Sequence, residues 1–248
     1  MSVWALADLH LAFGCPEKSM EVFGETWKNY TQKIESQWRE NINPDDLVLL
    51  PGDISWGLRI QEAKVDLDWI HSLPGTKMMI RGNHDYWWTS LKQVEKILPA
   101  SIHLIQNNSI QWNQYIIGGT RLWDTPEYKF NEYIQYAENP RVKKIVDTDP
   151  TPDAEKIFIR ELGRLELSLK SMDKFTGEKI AMTHYPPIGA ELKESRASSL
   201  LNKYHVKICV FGHLHNVKKD ALPFGEREGT RFLLTSADYL DFKPIQIL

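Results

Sequence analysis

Met-Met-Ile-Arg-Gly-Asn-His-Asp, at positions 78–85, joins a short apolar run to three polar side chains. An apolar run of this length, containing Met and Ile, is typical of a buried strand. Gly82 allows the backbone to turn at the end of that strand without a Cβ clash. Asn83, His84 and Asp85 are therefore predicted at the carboxyl end of a strand, where open α/β sheets place their ligands. Taken alone, the run would equally suit an ordinary turn.

The same arrangement recurs at four other places, and this repetition favours a functional site over a turn. Each is an apolar run of strand length that is followed by Asp or His. The runs and the polar residues after them are Val3–Ala7 with Asp8 and His10, Leu47–Leu50 with Asp53, Lys179–Met182 with His184, and Lys207–Phe211 with His213 and His215. Because ligands of α/β sheets gather at the carboxyl edge, these residues are expected to belong to one site.

The order of the predicted elements indicates an α/β fold. After Leu47–Leu50, an apolar stripe from Ile60 to Leu73 predicts a helix, and the strand before Gly82 is followed by another helical stripe. Strands that alternate with helices are the pattern of a parallel sheet. Runs at 102–105 and 110–117 then follow each other across a short turn at Asn107-Asn108, which predicts a change to hairpin pairing.

An aromatic stripe after the first strand predicts an amphipathic helix that packs on the core. Its members recur every three or four residues and are Phe23, Trp27, Tyr30, Ile34 and Trp38. We predict a single domain over residues 1–248, because no internal repeat or low-complexity linker interrupts the chain. A long polar and aromatic stretch at about 124–152 is interpreted as a cap or insertion.

Composition narrows the class of protein. The 248 residues are 42% hydrophobic and 25% charged, with a formal net charge of −3. Phosphate backbones are bound by clustered Lys and Arg, so this charge argues against a nucleic-acid surface. Two cysteines are too few for a disulfide framework and favour a reducing compartment. With no signal-peptide pattern and no apolar run of about 18 residues, a soluble cytoplasmic protein is expected.

The polar residues at the strand ends are suited to metal binding. They are Asp8, His10, Asp53, Asn83, His184, His213 and His215. Oxygen ligands mixed with imidazoles, without thiolates, suit Mn²⁺, iron or Zn²⁺. Seven ligands are too many for one ion, whereas two ions about 3.5–4 Å apart and bridged by a carboxylate would use them all.

Five separated motifs then resemble one known family, the calcineurin-like metallophosphoesterases. In chain order they are Asp-x-His at 8–10, Gly-Asp at 52–53, Gly-Asn-His-Asp at 82–85, a lone His184 before a proline loop, and Gly-His-x-His at 212–215. The resemblance implies an α/β fold with a two-layered mixed β-sandwich flanked by helices. It also implies two divalent or transition-metal ions, with Mn²⁺ favoured and iron or Zn²⁺ as alternatives.

The resemblance further implies a role for each site residue. The metal ligands would be Asp8, His10 and His215 for one ion, Asn83, His184 and His213 for the other, and Asp53 as the bridge. A water or hydroxide between the ions would attack phosphorus. His84 would stabilise the developing charge or protonate the leaving oxygen, and Asp85 would orient its imidazole.

The expected function is therefore hydrolysis of a phosphate mono- or diester in a phosphorylated small molecule. A metal-dependent nuclease is one alternative, but it should carry a basic groove. A non-catalytic interaction module on the same fold is another, although every ligand position here is filled. The motifs leave open the native metal, the physiological substrate, the preference between mono- and diesters, and the oligomeric state.

Aromatic and basic residues near the motifs are candidates for substrate contacts. The aromatic ones are Trp56, Tyr86, Trp87, Trp88, Trp123 and Tyr185, which either pack in the core or form a stacking pocket for a flat group. The basic ones are Arg59, Arg121 and Arg196, one of which could hold a second phosphate.

Overall fold

The structure is a computed structural model that describes residues 1–135, 152–219 and 224–248. Its first sheet contains five strands: β1 (Val3–Ala5), β2 (Leu47–Leu50), β3 (Thr76–Met79), β4 (Ile102–Leu104) and β11 (Ile245–Gln246). Their order in space is β11-β1-β2-β3-β4. Neighbours from β1 to β4 are parallel, and β11 is antiparallel to β1. The predicted parallel sheet is therefore confirmed.

The second sheet contains six strands: β5 (Ser109–Trp112), β6 (Tyr115–Thr120), β7 (Glu178–Thr183), β8 (Ile208–Phe211), β9 (Glu226–Arg227) and β10 (Thr230–Leu234). Their order is β5-β6-β7-β8-β10-β9, with parallel pairing from β6 to β10 and an antiparallel strand at each edge. Both sheets are thus mixed.

Helices cover the outer faces of the two sheets. They are α1 (Tyr30–Asn41), α2 (Ile60–Ser72), α3 (Leu91–Glu95), α4 (Pro152–Met172) and α5 (Arg196–Lys203). The first sheet packs against α1 and α2, and one hydrophobic cluster includes Val48 and Leu50 together with Trp38 and Leu67. The second sheet packs against α4 and α5 in a separate cluster.

The inner faces of the two sheets share a third hydrophobic cluster. In β2, Leu47 and Leu49 belong to it, whereas Val48 and Leu50 face the helices, as the alternation of a strand requires. Residues of β7 and β8, such as Met182 and Val210, complete it from the second sheet. The result confirms the predicted α/β fold, a mixed two-layered β-sandwich flanked by helices.

Two local predictions were wrong in their boundaries. The hairpin joins β5 to β6 through Asn113-Gln114, inside the run predicted as one strand, whereas Asn107-Asn108 connects β4 of the first sheet to β5 of the second. Asn113 has a φ of 53°, a left-handed conformation that Asn tolerates better than most residues. Helix α1 begins only at Tyr30, because the preceding residue, Asn29, also has a positive φ of 53°.

Short 3₁₀ turns replace the first part of the predicted aromatic helix. They span Pro16–Lys18, Met20–Phe23 and Glu25–Trp27. Trp27 is nonetheless buried, and its indole packs edge-on against the ring of His10 at 6.0 Å between centroids. The loop after β1 therefore supplies an aromatic wall to the site.

Two expectations concern the chain as a whole. Among the helices of the described residues, none combines the length and apolarity needed to cross a bilayer. The single domain over residues 1–248 stays a prediction. Most of the stretch at about 124–152, interpreted as a cap or insertion, falls on residues 136–151, which lie outside the described residues.

Candidate metal centre

The loops that follow β1, β2, β3, β7 and β8 bring the predicted ligands to one place. Backbone hydrogen bonds join the first two loops, from Asp8 N to Gly52 O and from His10 N to Asp53 O, both at 3.0 Å. Asp8, His10, Asp53 and His213 all have φ between 46° and 73°. Left-handed backbone at non-glycine residues is costly and is concentrated at functional sites. Its presence at four predicted ligands supports their functional role.

One half of the site contains Asp8, His10 and His215. Each offers a potential ligand atom, and these atoms lie within 4.8 Å of one another. His10 Nε2 is 3.1 Å from His215 Nε2 and 3.7 Å from Asp53 Oδ2. Burial lowers the pKa of His10 well below its usual value, which favours the neutral imidazole that binds metal ions.

The other half of the site contains Asn83, His184 and His213. Asn83 Oδ1 lies 2.6 Å from His184 Nε2 and 3.0 Å from His213 Nδ1. His184 Nε2 is also 3.5 Å from Asp53 Oδ2, so Asp53 approaches imidazoles of both halves. Asp8, Asp53 and His184 form a second group whose potential ligand atoms lie within 4.8 Å of one another.

The surroundings of two carboxylate oxygens indicate whether cations fit this cluster. Asp8 Oδ1 and Asp53 Oδ2 are buried and have no hydrogen-bonding partner among the described residues. Burial raises the pKa of both carboxyl groups, to about 8 for Asp8, because water is excluded from them. Buried anionic oxygens are normally paired or bound to a metal. Their position beside the imidazoles of His10 and His184, whose pKa values are lowered by burial, therefore fits divalent cations.

Further hydrogen bonds fix the orientation of two ligand rings. The carbonyl of Pro51 accepts a hydrogen bond from His184 Nδ1 at 3.0 Å, which leaves Nε2 of that ring free to bind a metal. His215 Nδ1 donates to Asp238 Oδ1 at 2.9 Å. Burial alone would lower the pKa of His215, but the charge of Asp238 raises it to about 9.

Asp238 is a residue of the candidate site that the sequence analysis missed. It lies beyond the last motif of the resemblance, shortly after β10. It is almost fully buried, and its second oxygen accepts a hydrogen bond from Asn216 N at 2.9 Å. The signal that could have revealed it is the one used elsewhere, namely an apolar strand followed by an Asp.

Two glycines of the motifs are required by close approaches at the site. A Cβ on Gly82 would overlap the Asp53 carboxylate, and a Cβ on Gly212 would lie 2.5 Å from Asp8 Oδ2. These two positions therefore need glycine because a ligand carboxylate occupies the space of a side chain.

His84 adjoins the ligand cluster as expected. Its backbone N–H donates to Asp53 Oδ1 at 2.8 Å, and its ring lies 5.8 Å from that of His10. Its Nδ1 is buried and unpartnered among the described residues. Trp56 packs on both imidazoles, at 4.6 Å from His84 and stacked at 4.9 Å on His10.

Asp85 differs from its expected role. Its carboxylate accepts hydrogen bonds from Gly82 N at 2.7 Å, Ile54 N at 2.9 Å, Ser55 N at 3.2 Å and the indole of Trp87 at 3.0 Å. No hydrogen bond between this carboxylate and the His84 ring occurs within the described part of the chain. Asp85 is instead a buried anion that ties the loop after β2 to the loop after β3.

The other aromatic and basic candidates divide into structural residues and residues near the site. Trp87 and Trp88 are fully buried and pack in the core of the first sheet. Arg196 is paired with Glu127 and Glu155, and Arg59 lies at the N-cap of α2. Trp123 and Tyr185 pack against each other at 5.1 Å beside His213.

An α/β sandwich whose strand ends gather buried and half-buried Asp, Asn and His side chains offers groups that could hold metal ions. Residues 1–217 match the family described as calcineurin-like phosphoesterase, and the chain belongs to that family. This result confirms the family that the motifs resemble.

Individual relatives are more distant. Two proteins of mycobacterial phages, each called Gene 66 protein, match over short segments: 32% identity over 85 residues for phage D29 and 30% over 86 residues for phage L5. Each match covers 34% of this chain and 40% of the phage protein, so the chain spans less than half the length of these curated relatives.

Two solved structures are similar along nearly the whole chain. One is the protein of unknown function AQ665 from Aquifex aeolicus, with 16% identity, a TM-score of 0.49, and coverage of 99% of this chain and 95% of that one. The other is GAP50, described as the anchor in the inner membrane complex of Plasmodium, with 12% identity, a TM-score of 0.46, and coverage of 96% and 72%.

Proposed function

We propose that this chain is a phosphoesterase that uses two divalent metal ions to hydrolyse a mono- or diester of a phosphorylated small molecule. The observation that carries the proposal is the pair of buried, unpartnered oxygens, Asp8 Oδ1 and Asp53 Oδ2, beside the imidazole rings of His10, His184 and His215. A site that only shaped the fold would pair such oxygens with N–H or O–H donors. Membership of the phosphoesterase family supports the same reaction class.

The proposed ligands follow the two halves of the site. They are Asp8, His10 and His215 for one ion, Asn83, His184 and His213 for the other, and Asp53 shared between them. Two ions bound there would activate water and neutralise the charge of the phosphoryl group. The mixed oxygen and imidazole donors favour Mn²⁺, with iron and Zn²⁺ as the alternatives.

The remaining chemistry is assigned to His84. Its ring stands at the edge of the ligand cluster, and Trp56 packs against it. From that position it would donate a hydrogen bond or a proton to the leaving oxygen of the ester. Asp85 would act indirectly, by holding the backbone of Gly82 and therefore the start of the Asn83-His84 turn.

The test compares metal content and activity in three proteins: wild type, Asp53→Asn and Asp68→Asn. Asp68 is a matched control because its exposed carboxylate pairs with Lys64 on α2, away from the site. After Mn²⁺ loading, p-nitrophenyl phosphate and bis(p-nitrophenyl) phosphate are the monoester and diester substrates. We expect about two ions per chain and hydrolysis in wild type and Asp68→Asn, with both lost in Asp53→Asn.

Two results would contradict the proposal. One is metal-loaded wild type that hydrolyses neither ester above the background rate. The other is an Asp53→Asn variant that keeps both ions and full activity, because the shared carboxylate would then have no role. Where hydrolysis is observed, the ratio of the two rates identifies the preferred ester.

A further inference from the structure

A cavity of about 450 Å³ opens beside His213, between the loops that follow β6, β7 and β8. Four aromatic side chains contribute to its wall: Trp123, Tyr128, Phe130 and Tyr185. Its volume lies within the roughly 300–1,000 Å³ of sites that bind small organic molecules. Because His213 is both a proposed metal ligand and part of the lining, the cavity borders the candidate metal centre.

A row of rings leads from the metal centre into this cavity. The ring of Tyr185 lies 4.0 Å from that of His213, and the ring of Trp123 lies 5.1 Å further on. The guanidinium of Arg121 covers Trp123 at 4.6 Å. An organic group attached to a phosphate near His213 would therefore meet Trp123, which is the half-buried ring of this row, whereas Tyr185 is buried.

Hydrogen bonds and an ion pair hold the residues of the cavity wall in place. The hydroxyl of Tyr128 donates to the carbonyl of Pro186 at 2.7 Å, and Glu127 accepts a hydrogen bond from Arg196 N at 2.8 Å. Arg121 is itself paired with the buried carboxylate of Glu161 at 3.3 Å. A wall that is ordered in advance binds a ligand with a smaller loss of conformational entropy.

Three of the four aromatic side chains also keep accessible surface, whereas Tyr185 is buried. Trp123, Tyr128 and Phe130 are only half-buried, unlike Trp87 and Trp88, which are enclosed in the core. Half-buried rings gathered around a cavity can stack on a flat ligand, because every aromatic ring offers a π-face. Ordinary core packing does not require such an open arrangement.

We propose that this cavity binds a planar aromatic group of the substrate, and specifically the nucleoside part of a nucleoside phosphoester. The inference rests on the proposed function, since it places the ester phosphate at the metal centre and the nucleoside against Trp123 and Tyr185. The cavity thus selects the substrate class, whereas the metal ligands hold only the phosphoryl group.

The experiment uses three phosphodiesters with the same leaving group, p-nitrophenolate. Their second group is ethyl, phenyl or thymidine bonded through its 5′ oxygen. Because the leaving group is constant, differences in kcat/KM report the binding of the second group. We expect the thymidine ester to exceed the ethyl ester by at least about fivefold, the lower end of base stacking on an aromatic side chain. The phenyl ester should fall between them.

Variants of Trp123 and Trp112 test whether the preference for the thymidine ester over the ethyl ester depends on the cavity. Trp112 is the matched control, because it is a partly exposed tryptophan of β5 that does not line the cavity. The thymidine-to-ethyl ratio should approach one in Trp123→Ala, be partly retained in Trp123→Phe, and match wild type in Trp112→Ala. Metal content verifies that each variant has kept the folded site.

Calorimetry with adenosine 5′-monophosphate and ribose 5-phosphate gives a readout independent of turnover. We expect the nucleotide to bind wild type at least about fivefold more tightly, with the difference lost in Trp123→Ala. If no diester is hydrolysed, calorimetry alone decides the inference, and the proposed function fails only if the monoester is not hydrolysed either. Equal rates for the thymidine and ethyl esters, equal affinities for the two ligands, or equal effects of Trp123→Ala and Trp112→Ala would overturn it.

Discussion

At the scale of single residues, the candidate centre depends on side chains that orient the ligands as much as on the ligands themselves. His184 is fixed by a backbone carbonyl and His215 by the carboxylate of Asp238. In both rings the hydrogen bond uses Nδ1 and leaves Nε2 for the cluster. Such partners set the tautomer of the imidazole and increase its basicity toward a metal.

Asp238→Asn should weaken metal binding without removing a ligand. The amide lacks the charge that orients and polarises His215, so we expect the affinity for Mn²⁺ to fall roughly 10- to 100-fold. A chelator-competition titration measures this change. Asp241→Asn is the control, because Asp241 is a nearby carboxylate that pairs with Lys219 on the surface. Equal affinities in the two variants would show that Asp238 has no positioning role.

Residues that follow apolar strands could be predicted from the sequence more readily than residues whose partners come from distant loops. The seven proposed ligands could be selected from the sequence because each follows an apolar strand, and the structure brings their side chains together. The role of Asp85 could not be predicted, because its four donors come from two loops that are separated in the chain. Asp238 was missed because no motif surrounds it, although it follows β10 in the same way.

At the scale of elements, hydrophobic periodicity identified the strands and helices better than it identified their ends. The aromatic stripe that begins at Phe23 has helical spacing throughout, yet α1 starts at Tyr30. Left-handed backbone at Asn29 separates the helix from the 3₁₀ turns before it. The difference between the predicted and the observed position of the hairpin has the same cause, because Asn113 is also left-handed. Left-handed positions at Asn depend on the backbone around them, and a pattern of apolar residues does not report them.

Helix α4 offers a test of intrinsic helix propensity. Gly163 lies in its interior, and an added Cβ would meet nothing within 4 Å. We expect Gly163→Ala to raise the free energy of unfolding by about 0.5–1 kcal/mol, because alanine loses less backbone entropy than glycine. Urea denaturation measures the change.

Gly118→Ala is the matched control for Gly163→Ala. Its Cβ would lie 2.7 Å from Met172 and 2.8 Å from Ser168 on α4, so this variant should be destabilised. A Gly163→Ala protein that is less stable than wild type would indicate that α4 is not exposed at this position.

The lysine of β3 predicts an unusual dependence of stability on pH. Lys77 is buried between the first sheet and α2, where its ammonium donates to the carbonyl of Leu73 at the end of that helix. Burial lowers the pKa of Lys77 to about 8. The unfolded chain, with its ordinary lysine pKa near 10.5, therefore binds more protons between pH 8 and 10.5, and stability should rise with pH across that range.

Lys77→Met isolates this contribution, because methionine fills similar space without titrating. The difference in unfolding free energy, wild type minus Lys77→Met, should increase from pH 8 to pH 10.5. Urea denaturation at intervals of pH measures it, and Lys64→Met on the exposed face of α2 serves as the control. A difference that stays constant or decreases over this range would contradict the assigned pKa.

At the scale of the whole molecule, the candidate metal centre lies where the two sheets meet. Asp8, Asp53 and Asn83 follow strands of the first sheet, whereas His184 and His213 follow strands of the second. Two of the proposed ligands, Asp8 and Asp53, are buried carboxyl groups whose pKa values are raised by burial. Without cations, these groups oppose folding, and bound cations would connect the two halves of the sandwich.

Metal removal should therefore lower the stability of the entire fold. A ligand present at 100 times its Kd stabilises the folded state by about 2.7 kcal/mol, which for a chain of this size corresponds to roughly 5–10 °C in Tm. Calorimetric scans of Mn²⁺-loaded and chelator-treated wild type measure this difference. Asp68→Asn, the control away from the site, should show the same shift.

Asp53→Asn should change the response of the Tm to metal in two ways, because it removes both the proposed shared ligand and a buried anion. The metal-dependent shift in Tm should largely disappear, yet the metal-free variant should melt above metal-free wild type, since a neutral amide is less costly to bury than an unpaired carboxylate. A metal-free variant that melts below metal-free wild type would show that Asp53 stabilises the fold by itself. If the metal-free variant melts above metal-free wild type, as expected, this edge of the sandwich is maintained for metal binding at the expense of stability.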